Sequence, residues 1–210
     1  MKENSVKSIR GQYGKGVKII IMIRHGLKTE DGKHITAECL NSIIADGIPG
    51  IDTEVNVLQH GSYYPRTDET GTAISLNLLL KGDKIARHLP ADNRLGNPGL
   101  FNLYTPEMKM EMQNKKFTNY QGLRNLRLEE FMGYGNGVME FIKETFARLN
   151  PGDVCLVPTH TPTVEIAYNF CASRPDEFME IKELEYIFLV LHETTIFSMK
   201  RHFKEIKVKV

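Results

Sequence analysis

At 210 residues, with 27 Lys and Arg against 26 Asp and Glu, the chain has a formal net charge of +1 and 41% hydrophobic residues, enough for one full core. Its charges are interspersed, so no field of one sign argues for nucleic acid or a membrane surface. No apolar stretch approaches the roughly 20 residues that span a bilayer, and none follows the first lysines as a signal peptide would, so a cytoplasmic protein is expected.

In chain order, Met1 to Gly16 carries Lys2, Lys7, Arg10 and Lys15 among Ser, Asn and three glycines. It holds too little apolar area to offset the entropy of ordering it, which predicts a mobile tail ahead of a single domain over 17–210. Val17 to Gly26, V-K-I-I-I-M-I-R-H-G, is an almost unbroken apolar run with β-branched residues. That is how a strand buried on both faces of a parallel sheet reads. It ends at Arg24-His25-Gly26, a fixed cation, a nucleophile and a residue without Cβ, at the carboxyl end where open α/β sheets place their ligands. After a polar loop over 27–33, Thr36 caps a helix with Ala37, Leu40, Ile43 and Ile44 on one face, ended by Asp46-Gly47. Thr53 to Gln59 reads as a second strand running into His60-Gly61-Ser62-Tyr63-Tyr64-Pro65-Arg66. Asp68 and Glu69 open a helix with Leu76 to Leu80 as its body and Gly82 past its end.

Residues 92–121 have weak periodicity, contain Pro98, Gly99 and Pro106, and place Met108, Met110 and Met112 at every second position. A cap or substrate loop over 97–121, or a short helix, suits such a stretch. Val138, Ile142, Phe146 and Leu149 mark a helix stopped by Asn150-Pro151-Gly152. Val154 to Pro158 is a third strand, ending at Thr159-His160-Thr161-Pro162, with Thr161 placed to cap the next helix. Tyr186 to Leu191, Thr195 to Met199 and Ile206 to Val210 read as further strands. Strands alternating with helices give an α/β fold with a largely parallel sheet. Cys39, Cys155 and Cys171, odd in number and set in apolar patterns, suit reduced core thiols rather than disulfides or zinc ligands.

Three parallel strand ends thus bring Arg24 and His25, Arg66 and His160 to one edge of the sheet. Two guanidiniums, whose planar forks match phosphate oxygens, together with two imidazoles make a phosphoryl site. Neighbouring arginines disfavour imidazolium, lowering the pKa of His25 and leaving it a neutral nucleophile. The second histidine would donate to oxygens that gain charge. His60 lies close in sequence and could line the pocket. His25, His60, His160 and Asp68 lack the spacing of metal ligands, so no metal or other cofactor is expected.

I-M-I-R-H-G-L-K-T resembles the opening motif of the histidine phosphatase (phosphoglycerate mutase-like) superfamily. S-Y-Y-P-R-T-D-E-T-G-T-A over 62–73 is similar to its stretch with the second Arg, and Val154 to Pro162 to its second-His strand. The resemblance implies a three-layer α/β/α sandwich with a mostly parallel central sheet. It implies His25 as the phosphoryl-accepting nucleophile, Arg24 and Arg66 as phosphate clamps and His160 as the second pocket histidine. Thr29 and Thr161 become phosphate or substrate contacts. Three positions depart from the pattern. Asp31 replaces the usual Asn, Asn97 stands where the family has its proton-donating Glu, and Thr161 stands where the phytase-like branch has Asp. Glu69 or Asp68 is then the candidate general acid, with Glu107 and Glu111 behind them. The implied activity is hydrolysis of small phosphomonoesters, particularly those with good leaving groups. A mutase and a weakly active phospholigand-binding protein are the alternatives. The sequence leaves the oligomeric state open.

Overall fold

The computed structural model describes residues 5–51, 55–96, 102–171, 180–193, 195–200 and 206–209. One sheet is built from β1 (Lys18–Arg24), β2 (Val57–Gln59), β3 (Arg87–Leu89), β4 (Val154–Thr159), β5 (Tyr186–His192), β6 (Thr195–Lys200) and β7 (Ile206–Lys209), in the spatial order β3-β2-β4-β1-β5-β6-β7. β1 is central, parallel to β4 with Arg24 opposite Thr159, and antiparallel to β5 with Ile23 opposite Tyr186. Its apolar run now has a cause. Ile20 and Met22 enter one core, Ile19, Ile21 and Ile23 the other, and all five have 0% of their surface exposed. At roughly 1.5–3 kcal/mol for each side chain so buried, this strand is firmly fixed.

The two cores define three layers. α1 (Val6–Tyr13), α2 (Ala37–Asp46) and α3 (Pro65–Leu80) cover the Ile21 face. α4 (Pro106–Lys115), α5 (Asn119–Leu126), α6 (Leu128–Arg148) and α7 (Thr163–Cys171) cover the Met22 face. Among the described residues no helix is long and apolar enough to cross a membrane. Burial pushes the thiols of Cys155 and Cys171 up to about 12, and all three cysteines are free.

The structure differs from the sequence reading in three places. The expected tail contains α1, whose Ser5 and Ser8 form a reciprocal cap. Val6 and Ile9, one turn apart, are buried in the core, and Arg10 Nη2 donates to the Gly152 carbonyl at 2.5 Å. Two well-placed apolar side chains suffice where composition alone suggested none would. The sheet is mixed. β3, β2, β4 and β1 run parallel, whereas β5, β6 and β7 are each antiparallel to the preceding neighbour. A parallel crossover needs about a dozen residues, and the two between β5 and β6 permit only a hairpin. Of the two readings of the irregular stretch the helical one holds within 106–126, which carries α4 and α5, with Met108 and Met112 buried and Met110 exposed as helical spacing requires. Finally, α3 starts at Pro65, which puts Arg66 inside its first turn.

Candidate active site

The parallel half of the sheet directs the ends of β1, β2 and β4 to one edge. The His25 N–H continues the ladder by donating to Thr159 O at 2.9 Å, so the residue is fixed before its side chain makes any contact. His25 and His160 are 4% and 1% exposed, and their rings meet edge to face with centroids 5.2 Å apart. His25 Nδ1 lies 2.7 Å from the Gly26 carbonyl oxygen, which can only accept. The ring proton therefore sits on Nδ1 and the lone pair on Nε2. A Cβ on Gly26 would come within 2.5 Å of Cys39 Sγ, so any other residue there would force Cys39 to move.

Both guanidiniums act on both rings. Burial above all pushes His25 down to about 4, the charges of Arg66 and Arg24 add to it, and the Gly26 carbonyl opposes. His160 is held down at about 2 by burial, then by Arg66, His25 and Arg24. Arg66 is itself lowered by burial and, to a smaller extent, by Arg24. Arg24 is anchored by Nη1 to the Ile181 carbonyl and by Nη2 to Glu183, both at 2.6 Å. Arg66 packs its guanidinium 4.6 Å from the Tyr64 ring centroid and donates to the Gly32 carbonyl. Among the described residues it has no carboxylate partner. Two neutral imidazoles beside two cations, with Glu183 as counter-charge, are the chemistry that holding and attacking a phosphoryl group would require.

Several residues that build this site were not visible in the sequence. Ser62, fully buried, shares a hydrogen bond with His160 Nε2. The ring of Tyr64 stands edge-on to that of His160 at 5.3 Å. Thr70 accepts from the Gly26 N–H at 3.1 Å and donates to the Arg66 carbonyl at 2.7 Å, joining the β1 end to α3. Its position four residues after Arg66, one helical turn on, is the signal that could have found it. Gly96 lies against His160, where a Cβ would come within 2.7 Å of the ring. Glu165, 2% exposed, accepts from Thr161 Oγ1 at 2.5 Å and Ile181 N at 3.3 Å. Burial raises it to about 7 against those hydrogen bonds and the Arg24 charge.

Other expected site residues are engaged elsewhere. Glu69 receives His34 Nδ1 at 2.5 Å and Ile35 N at 2.8 Å, using one oxygen for each. With Arg66 on Gly32, it makes the first turn of α3 a clamp on the 27–35 loop. Asp68 lies 3.4 Å from His60 Nδ1, and His60 in turn meets His88. Asp68 and Glu69 line a cleft with Leu40, Ile44 and Tyr63, apart from the cavity that Arg66 lines. Thr29 donates to Asp31 at 2.6 Å, closing a turn. Thr161 donates to Glu165. Among the described residues no three His, Cys, Asp or Glu side chains are grouped to hold a metal. Glu111 pairs with Lys115 at 2.7 Å, Glu107 lies in the first turn of α4, and Asn97 lies outside the described residues.

No family model and no curated protein matches the chain. Solved structures match its fold. Phosphoglycerate mutase from Bacillus anthracis is similar with a TM-score of 0.57 at 12% identity, over 85% of this chain and 90% of that one. A candidate α-ribazole-5′-P phosphatase from Escherichia coli gives 0.56 at 15% identity, over 91% and 99%. A phosphoserine phosphatase from Entamoeba histolytica, solved with 3-phosphoglyceric acid, gives 0.51 at 12% identity, over 91% and 95%. At such identities the likeness establishes the phosphoglycerate mutase-like α/β fold.

Proposed function

We propose that this chain is a phosphomonoester hydrolase working through a phosphohistidine on His25. One observation carries the reading. A neutral imidazole with its lone pair on Nε2 is fixed at a strand end beside a second imidazole and within the fields of two guanidiniums. Nε2 attacks phosphorus as the bond to the leaving oxygen breaks, and that oxygen departs with the electron pair and takes a proton from water. A second water then attacks phosphorus, the P–N bond breaks with its pair returning to Nε2, and the proton this water loses balances the one taken earlier. Arg24 and Arg66 hold the non-bridging oxygens throughout, and His160 faces the charge that gathers on them.

The engagement of Glu69 and Asp68 elsewhere favours substrates whose leaving oxygen bears charge well, such as aryl or acyl phosphates or phosphohistidine. General acid catalysis is worth about 10² to 10⁴ in rate, and alkyl esters should lag aryl esters by that order. Rapid quenching with a 32P-labelled aryl phosphate should trap a base-stable, acid-labile phosphoenzyme that is missing in His25→Ala. Substantial turnover by His25→Ala would overturn the mechanism, since no other nucleophile is proposed.

A further inference from the structure

Next to the His25 site, and sharing Arg66 with it, is a cavity of about 660 Å³. Among the described residues its charged lining is Lys28, Arg66, Lys109 and Lys116, with no carboxylate. The three lysines come from separate places. Lys28 sits on the loop that the first turn of α3 clamps, Lys109 on α4, and Lys116 just past α4 in a left-handed conformation with φ 53°. Among the described residues none of the three is paired with a carboxylate, whereas the adjacent Lys115 pairs with Glu111 at 2.7 Å. Exposed lysines are commonly just solvated. Here they line one concavity in a chain with almost as many acidic as basic residues, and a proposed phosphate clamp, Arg66, lines it too. Tyr104, Met112 and Phe117 supply the apolar part of the lining.

We infer that Lys28, Lys109 and Lys116 form a second anion subsite. The substrate is then a small phosphomonoester whose far end bears another phosphate or carboxylate, on a planar or apolar body that lies along Tyr104 and Phe117. The inference rests on the phosphomonoester reading of the His25 site. The volume falls within the roughly 300–1,000 Å³ usual for small-molecule pockets, which argues for a metabolite over a phosphoprotein. The lysines act through charge, so their effect is on binding and weakens with salt.

The test compares phenyl phosphate with 1,4-phenylene bisphosphate, first by kcat/KM and then by calorimetric binding to His25→Ala. Wild type should prefer the bisphosphate by about tenfold at low salt, mainly through KM, as charge-assisted contacts to a second anion would give. The preference should shrink at high salt. In K109E/K116E, and to a smaller degree in K109Q/K116Q, it should fall to about the statistical factor of two for two equivalent esters, with circular dichroism unchanged. A wild-type preference of about two or less, or one that both double variants keep, would overturn the subsite. The two readings fail separately. Hydrolysis of both esters without discrimination leaves the phosphatase and removes the subsite. Discriminating binding that the double variants abolish, with neither ester hydrolysed, keeps the subsite and removes the phosphatase.

Discussion

His25, His160 and Glu165 are buried ionisable groups whose pKa values are displaced in opposite senses, and the signs determine how stability should follow pH. The two histidines are depressed, from 6.5 to about 4 and about 2. Their contribution is fully present above pH 6.5 and is lost as pH falls, because the unfolded chain takes up protons that the fold refuses. Glu165 is raised from 4.5 to about 7, so its contribution is present below pH 4.5 and lost as pH rises towards 7. Between pH 4.5 and 6.5 two groups oppose one, and stability should fall on acidification by about 1.4 kcal/mol per pH unit. Removing the opposing carboxyl in Glu165→Gln should roughly double that slope, while His160→Asn should nearly flatten it. Denaturant midpoints across this window measure both, and an unchanged slope in Glu165→Gln would show that its carboxyl titrates normally.

Legibility at this scale followed distance in sequence. Arg24, His25 and His160 could be read because each directly ends an apolar run, and Arg66 because it follows one closely. Glu183 could not, since only the fold brings it to Arg24. Asp68 lines a different cleft from Arg66, because nearness in sequence is not nearness on a helix. Two residues on, a side chain has turned about 200° away. Glu69 does share the Arg66 face, but both of its oxygens serve the 27–35 loop.

Among the elements, α1 is the instructive miss. Low apolar content across residues 1–16 argued for a tail, yet Ser5 caps a helix whose Val6 and Ile9 are 1% and 2% exposed. Composition averages over a window, whereas docking depends on which face carries the few apolar residues. Ile9→Ala should cost about 2–5 kcal/mol in denaturant-measured stability, the usual toll of such a truncation in a core. A change within error would mean that α1 is not docked on the sheet in solution. The direction of β5, β6 and β7 was missed for another reason. An apolar run buried on both faces reads alike in parallel and antiparallel sheets, and only the short spacing between β5 and β6 encodes the hairpin.

For the molecule as a whole, the layered α/β architecture was legible because alternating strand and helix signals leave few ways to bury both faces of a sheet. The position of β1 at the join between the parallel and antiparallel halves was not, and it matters for the site. A strand paired on both sides and buried on both faces gives up its amide protons to solvent only when the whole fold opens. In hydrogen–deuterium exchange the amides of Ile19 to Ile23, and of His25 in continuation, should be among the slowest, and those of α4 and α5 faster. Early deuterium uptake in β1 would contradict this. The proposed nucleophile sits on the slowest-exchanging part of the protein, whereas Lys109 of α4, in the cavity that Arg66 shares, belongs to a faster one. Natural variation could retune what is recognised through α4 and the loop after it without loosening the imidazole that does the chemistry.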